Sequence, residues 1–232
     1  GYHGVVAPYS FLVSWRRAAN PPANPEGAGG VFANPFDAKQ IEVEQAPRGA
    51  LELCVLRGGL LFEVAVPPGK WLARSRPQLG PEAQRAYEYA ALAMEARAEE
   101  AAGDLFAKLA RDARDRDEAD LGAWYLLGAA EGFARQYRWT LAKRFYEEAF
   151  EPSCDPSIQA SIRVASAAEF LGRISPAKAL DAFGAALGLL GGDGARSLAA
   201  AFVLNYLGIA AADRGDLLAA QTYHRRALAI RE

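Results

Sequence analysis

Histidine is nearly missing from this 232-residue chain, which has only His3 and His224. His3 is at the terminus, and His224 reads as a packing residue. Cysteine is almost as scarce. Cys54 and Cys154 are too few for a disulfide framework, and neither stands in a cluster with metal-ligand spacing. Cys54 is expected to be a buried thiol within a strand. No P-loop, G-x-G-x-x-G, H-E-x-x-H, C-x-x-C or G-x-S-x-G occurs. Gly191-Gly192-Asp193-Gly194 follows a helical stretch and lacks the strand and the Lys-Ser/Thr of a nucleotide site, so it reads as a turn. No catalytic residues, cofactor or metal are therefore expected.

Positive charge is not in excess either. Lys and Arg number 26 against 28 Asp and Glu, a formal net charge of -2, so no global field draws the chain to nucleic acid or anionic lipid. The aromatics fall at helix-packing offsets rather than in a basic, stacking-ready row, which also disfavours single-stranded nucleic acid. No apolar run approaches the ~20 residues that span a bilayer, so membrane insertion is not expected. The opening GYHGVVAPYSFLVSW lacks the basic start of a signal peptide. The cytoplasm is the expected compartment, with the periplasm left open. Abundant alanine and arginine with almost no threonine suggest a GC-rich bacterial source.

What is present divides into two compositional regions. Residues 1–78 are β-leaning and rich in loops. Val5-Val6 and Phe11 to Trp15 are branched and aromatic runs, and the stretch from Asn20 to Gly30 is too rich in proline and glycine for regular structure. Asn34 as N-cap and Pro35 at N1 suggest a short helix over about 35–45. Leu51–Leu56 and Leu60–Val66 flank Arg57-Gly58-Gly59 as a β-hairpin. From Pro81 onward every segment reads as helix. Pro81 stands at N1 with Glu82 in the first turn. Tyr87, Ala90, Ala91, Met94 and Ala98 form an apolar stripe, Gly103 is expected to stop that helix, and Asp104 to cap the next through about Arg114. The alternating charges from Arg111 to Glu118 read as a solvated face.

The last stretch, Leu204 to Ile230, holds two helical stripes around an Arg214-Gly215-Asp216 turn. Gly208 is the small residue of the first helix, and Ala220 and Ala227 are those of the second, with Tyr223 filling the gap between them. Two earlier segments superimpose on it. Gly128, Ala165 and Gly208 correspond in the first helices; Ala142-Tyr146-Ala149, Ala179-Phe183-Ala186 and Ala220-His224-Ala227 correspond in the second. Trp124, Leu127 and Trp139 fit aromatic and leucine positions of the first unit. Asp155-Pro156 and Ser175-Pro176 fix two helix starts. The pattern resembles the tetratricopeptide repeat (TPR), a helix-turn-helix unit of about 34 residues. The ending RALAIRE resembles the longer kinesin-light-chain type, and the two earlier units carry two extra residues around their turns. The resemblance implies repeats at 120–152, 156–190 and 196–232, after an atypical helix pair at 81–116.

The hairpin segment ALELCVLRGGLLFEVAVPPGKW is similar to the last two strands of a bacterial PDZ domain. That resemblance covers residues 31 to 71 and makes the 35–45 helix the one lining a peptide groove. The glycine-aspartate loop usual before that helix is missing, and His3-Gly4-Val5 is only an echo of a carboxylate-binding loop. The alternative is a small β-rich cap over the end of the helical array. The expected fold class is α+β: a small N-terminal β-rich, PDZ-like domain at 1–78, followed by an all-α TPR solenoid at 79–232.

The TPR resemblance implies a concave groove lined by first helices. It places Tyr125, Ile162 and Asn205 at groove-facing positions, three residues before the small one, with Asp213 further along the last groove helix. Asn205 would hydrogen-bond a peptide backbone and Tyr125 would stack on an apolar side chain. The expected function is a noncatalytic scaffold that binds a peptide or partner protein. The alternative is a regulatory or sensing region of a larger bacterial enzyme, such as a protease or kinase. A TPR array stopping in a second helix leads us to expect further repeats or another domain beyond residue 232.

Overall fold

A computed structural model describes residues 10–18, 29–69, 71, 76–150, 155–169, 176–192 and 195–232. The layout is α+β, an N-terminal antiparallel sheet followed by helices, and the chain divides into two compact units, Gly1–Gln78 and Leu79–Glu232. No helix among the described residues is long and apolar enough to cross a membrane.

The first unit holds a four-stranded antiparallel sheet in the order β2-β1-β3-β4, made of β1 (Phe11–Arg17), β2 (Gly29–Val31), β3 (Leu51–Arg57) and β4 (Leu60–Val66). The β3–β4 hairpin turns on Gly58 and Gly59, at φ 59° and 81°. Two successive left-handed residues suit the right-handed twist of the strands, which explains the glycine pair. Alternation along β3 sends Leu51, Leu53 and Val55 to a core with Trp15, Ile41 and Ala46. Helix α1 (Asp37–Glu44) supplies Ile41 to that core.

Two expectations change here. Cys54 is half-buried, because its side chain belongs to the face opposite Leu53 and Val55 and lies between Ser14 and Glu63. Asn34 is not the N-cap. Its Oδ1 accepts from the Phe36 N–H at 2.8 Å, while the Asp37 carboxylate accepts from the Asn34 N–H at 2.8 Å, so a side-chain-closed turn precedes the helix.

The second unit contains, among the described residues, α2 (Pro81–Glu95), α3 (Glu99–Arg114), α4 (Ala119–Arg135), α5 (Trp139–Ala149), α6 (Pro156–Glu169), α7 (Pro176–Leu189), α8 (Leu198–Asp213) and α9 (Leu217–Arg231). Each packs on its sequence neighbours. The even-numbered helices start at Pro81, Ala119, Pro156 and Leu198. Asp155 opens α6 by accepting from the Ser157 N–H at 2.8 Å, and Asp216 opens α9 by accepting from the Ala219 N–H at 3.0 Å.

Four turns share one geometry. Arg97, Asp117, Tyr137 and Gly215 have φ of 58°, 60°, 62° and 87°. The next N–H in each reaches back five residues: Ala98 to Ala93 O at 2.9 Å, Glu118 to Ala113 O at 3.0 Å, Arg138 to Phe133 O at 2.9 Å and Asp216 to Ala211 O at 2.9 Å. This is the Schellman closure of a helix by a left-handed residue. The expected stop at Gly103 is therefore corrected. Gly103 lies inside α3, where a Cβ would meet the Phe145 ring at 3.4 Å, and Arg97 ends the preceding helix.

The non-glycine left-handed residues generate a prediction. Arg97 is exposed, and a side chain at φ 58° costs backbone energy that glycine avoids. Arg97→Gly should raise stability by roughly 0.5–1 kcal/mol, while Arg97→Ala should change it little. Denaturant melts of the three proteins decide the matter, and a less stable glycine variant would show that the arginine side chain, not the turn, is what matters there.

Candidate interaction surface

Helix α4 buries Gly122, Ala123, Tyr125, Leu126, Ala129, Ala130 and Phe133 because neighbours press on it from both α3 and α5. Tyr125 belongs to that buried arc at 0% exposure. Its ring lies 6.1 Å from Tyr87 and 5.6 Å from Trp124, and its hydroxyl is buried without a hydrogen-bond partner. Burial pushes the phenol up to about 12. Ile162, in α6, is 1% exposed. Neither residue is available to a groove, and the expectation for both is corrected: they are core.

The offset fails because its anchor fails. Gly128 is the expected tight position of the first repeat, yet a Cβ there would meet nothing within 4 Å. The close approaches of α4 are at Gly122, where a Cβ would fall 3.1 Å from the Ala110 carbonyl oxygen, and at Gly132, where it would fall 3.1 Å from the Met94 methyl. In α8 the anchor does sit against a partner helix, since a Cβ on Gly208 would fall 2.5 Å from the His224 ring. His224 thus packs over Gly208, although the residue as a whole stays exposed.

Asn205 is half-buried and Asp213 is exposed. They share a face with aromatic residues that sequence reasoning did not single out. Phe202, Tyr206, Ile209 and Asp213 recur at i, i+4, i+7 and i+11, one stripe of α8, and Asn205 lies beside Phe202 and Tyr206 on it. Tyr206 stacks on Phe183 of α7 at 5.0 Å with planes 17° apart, and Phe202 meets Tyr206 edge-on at 4.9 Å. Phe183 is fully buried, Tyr206 half-buried and Phe202 exposed. The ladder therefore runs from core to solvent, and the Phe183 contact holds Tyr206 in place. The periodicity of α8 contained this signal. Nearly every residue from Leu198 to Ala212 is apolar, so no polar face marked where the solvent side begins.

A second aromatic pair, of exposed Tyr137 and half-buried Trp139, lies at the α4–α5 turn. Tyr137 and Trp139 meet at 5.9 Å, and a shallow open cleft of about 250 Å³ is lined by Tyr137, Arg138, Trp139, Thr140 and Leu141. Arg138 pairs across this turn with Glu99, and Gln136 donates to the Met94 carbonyl at 2.6 Å, which ties the turn to α2 and α3. Among the described residues no group of three or more His, Cys, Asp or Glu is placed to hold a metal ion. His3, Val5-Val6, Cys154, Ser175 and the second half of the Gly191–Gly194 turn lie outside the described residues.

No family model and no curated protein matches the chain. Among solved structures, BtubC (BKLC) from P. vanneervenii aligns with a TM-score of 0.49 and 17% identity over 66% of this chain. The chain spans 65% of the length of that protein.

The burial of Tyr125 leads to a measurable outcome. Tyr125→Phe removes an unsatisfied buried hydroxyl and keeps the ring packing, so stability at neutral pH should hold or rise, by up to about 1–3 kcal/mol. A phenol whose folded pKa is raised binds its proton more tightly in the folded state. Its contribution is present below the unfolded value near 10 and is lost as pH rises toward about 12. Thermal melts at pH 7 and across pH 10–12 should show a shallower alkaline decline for Tyr125→Phe. A large loss at pH 7 would mean that the hydroxyl has a partner.

Proposed function

We propose that this chain is a noncatalytic interaction protein of the TPR kind, which binds an extended peptide segment of a partner protein along the Phe202–Asn205–Tyr206 face of α8. The observation that carries this reading is the aromatic ladder at that face. Phe202 offers an exposed ring, Tyr206 is held by Phe183, and Asn205 stands beside both. Rings held in place by packing cost little side-chain entropy when they bind. An amide can donate to a peptide carbonyl and accept from a peptide N–H at once. Asp213, exposed at the end of the same stripe, favours a basic residue at one end of the bound segment.

Paired helices in series support the TPR reading, as do tight small residues such as Gly208 against His224. The spacing of first helices, with starts at Pro81, Ala119, Pro156 and Leu198, runs longer than a 34-residue unit, in keeping with the longer repeat type. We read the N-terminal unit as PDZ-like and as a second peptide-binding element. Its support is the β3–β4 hairpin with α1 packed into the same core.

The test is selection of peptides from a display library on the immobilised chain, followed by titration of the best binder. Phe202→Ala and Asn205→Ala should each weaken that binder about tenfold or more, with the melting temperature nearly unchanged. Tyr137→Asn, at the α4–α5 cleft, should leave affinity as it was. If the cleft variant loses the peptide and the α8 variants keep it, the site belongs to the α4–α5 turn and the proposal for α8 is wrong.

A further inference from the structure

Helix α6 has α4 as a neighbour, and its Ala167 belongs to the same core cluster as Ala200, Leu204 and Leu207 of α8. Ala168 of α6 and Tyr206 of α8 both pack against that cluster. Each of the three helices turns one stripe to solvent. On α6, Ser161 is the one exposed residue between Ser157 and Glu169, and Ala165 and Ala168 follow it at i+4 and i+7, both half-buried. On α4 the stripe is Trp124, Gly128, Glu131 and Arg135, at i, i+4, i+7 and i+11; the tryptophan is half-buried and the other three are exposed. On α8 it is the stripe that carries Phe202 and Tyr206.

Side-chain size differs across the three stripes. Bulk sits on the outer two: Trp124 lies 5.5 Å from Tyr87 and 5.6 Å from Tyr125, and Tyr206 is held by Phe183 with Phe202 beside it. The α6 stripe has nothing larger than a serine, whose hydroxyl already donates to the Ser157 carbonyl at 2.8 Å. Gly128 is unusual among the helix glycines of α4, because no neighbour requires it: a Cβ there would meet nothing within 4 Å. A glycine inside a helix costs stability relative to alanine, and here no close packing offsets that cost. Charge comes only towards the ends of the outer stripes, where Glu131 pairs with Arg135 on α4 and Asp213 stands on α8. We propose, resting on the α8 reading above, that α4 and α8 are the walls and α6 the floor of one trough, and that the bound segment sets one aromatic side chain in it, over Gly128 and Ala165 and against Phe202. A ring suits the place because rings already held by packing offer it edge and face contacts at little entropic cost. Gly128 and Ala165 then set the size of the side chain accepted, since a larger group at either would take the space of the ring.

The probe is the best peptide selected from a display library on the 232-residue chain, titrated by fluorescence anisotropy beside the same peptide with its aromatic residue replaced by alanine. Selected peptides should share one aromatic position, and its replacement should weaken binding to the parent chain about tenfold or more. Ala165→Leu and Gly128→Leu should each weaken the aromatic peptide about tenfold or more, yet bind the alanine-substituted peptide at least as tightly as the parent chain does. That exchange arises only where the new leucine and the peptide's ring compete for one space; a variant damaged in its fold would lose both peptides. Gly128→Leu guards against that outcome, because its Cβ meets nothing and a glycine leaves the helix, so its melting temperature should rise. Selected peptides with no common aromatic residue overturn the proposal. So do leucine variants that keep their melting temperatures and weaken both peptides alike. If both leucine variants bind the aromatic peptide as the parent does while Phe202→Ala loses it, α8 holds the peptide and only the trough is wrong. If Phe202→Ala leaves binding intact, or no peptide is selected at all, the α8 reading fails and the proposal fails with it.

Discussion

One backbone hydrogen bond repeated four times sets the geometry of the helical unit. In each case an N–H just past a helix reaches the carbonyl five residues back, and the residue before it is left-handed. The bond satisfies a carbonyl that the helix end would otherwise leave open, and the left-handed residue reverses the chain within about three residues. The residue after it is not helical. Ala98, Glu118, Arg138 and Asp216 all have φ between -81° and -100° and ψ between 57° and 76°. Because these angles recur, α2–α3, α3–α4, α4–α5 and α8–α9 leave their turns in the same relation. The side chains between them are selected to fit a spacing that the backbone has already set.

That spacing is tight, which accounts for the small residues in the interfaces. Gly122 against the Ala110 carbonyl, Gly132 against Met94 and Gly208 against His224 are contacts where a methyl group would have to displace something. Alanines fill most of the remaining buried positions: Ala102, Ala110 and Ala113 in α3; Ala142 and Ala149 in α5; Ala200, Ala201, Ala210 and Ala211 in α8. Alanine surrenders no side-chain entropy in a helix and lets axes approach, but each one buries little apolar area. The large side chains make up the difference in clusters. Phe133 stacks on Phe145 at 5.3 Å between α4 and α5, and Phe183 on Tyr206 between α7 and α8.

Much of this was legible in the sequence where chemistry is local. Glycine pairs in a hairpin, proline at N1 and aspartate before a helix act through their own backbone, and Gly58-Gly59, Pro81 and Asp155 stand in the structure where those rules put them, whereas Pro35 precedes α1 and Asp104 lies inside α3. Three of the four left-handed turns were not legible, because Arg97, Asp117 and Tyr137 occupy a position that glycine usually marks. With arginine rather than glycine at the first of them, the sequence marks the helix end at Gly103 instead of Arg97. Side-chain direction was the harder problem. Counting three back from a small residue works only if that residue is the tight one. Gly128 faces open space, and the count from it led to the fully buried Tyr125.

The same contrast explains why solvent-facing aromatics are on α8 and buried ones on α4. Helix α4 approaches α3, α5 and α6, and its inner side receives Tyr87 from α2, so its aromatic residues have partners all around. Helix α8 packs mainly on α7 and α9, which lie to its two sides in chain order. Its third side keeps Phe202 in water, and only the inner end of the ladder is buried. An exposed phenylalanine is ordinary by itself. An exposed phenylalanine edge-on to a tyrosine that is stacked on a fully buried ring is a different arrangement, because the two inner rings cannot turn away to hide the outer one. Covering that outer ring is what the proposed peptide would do.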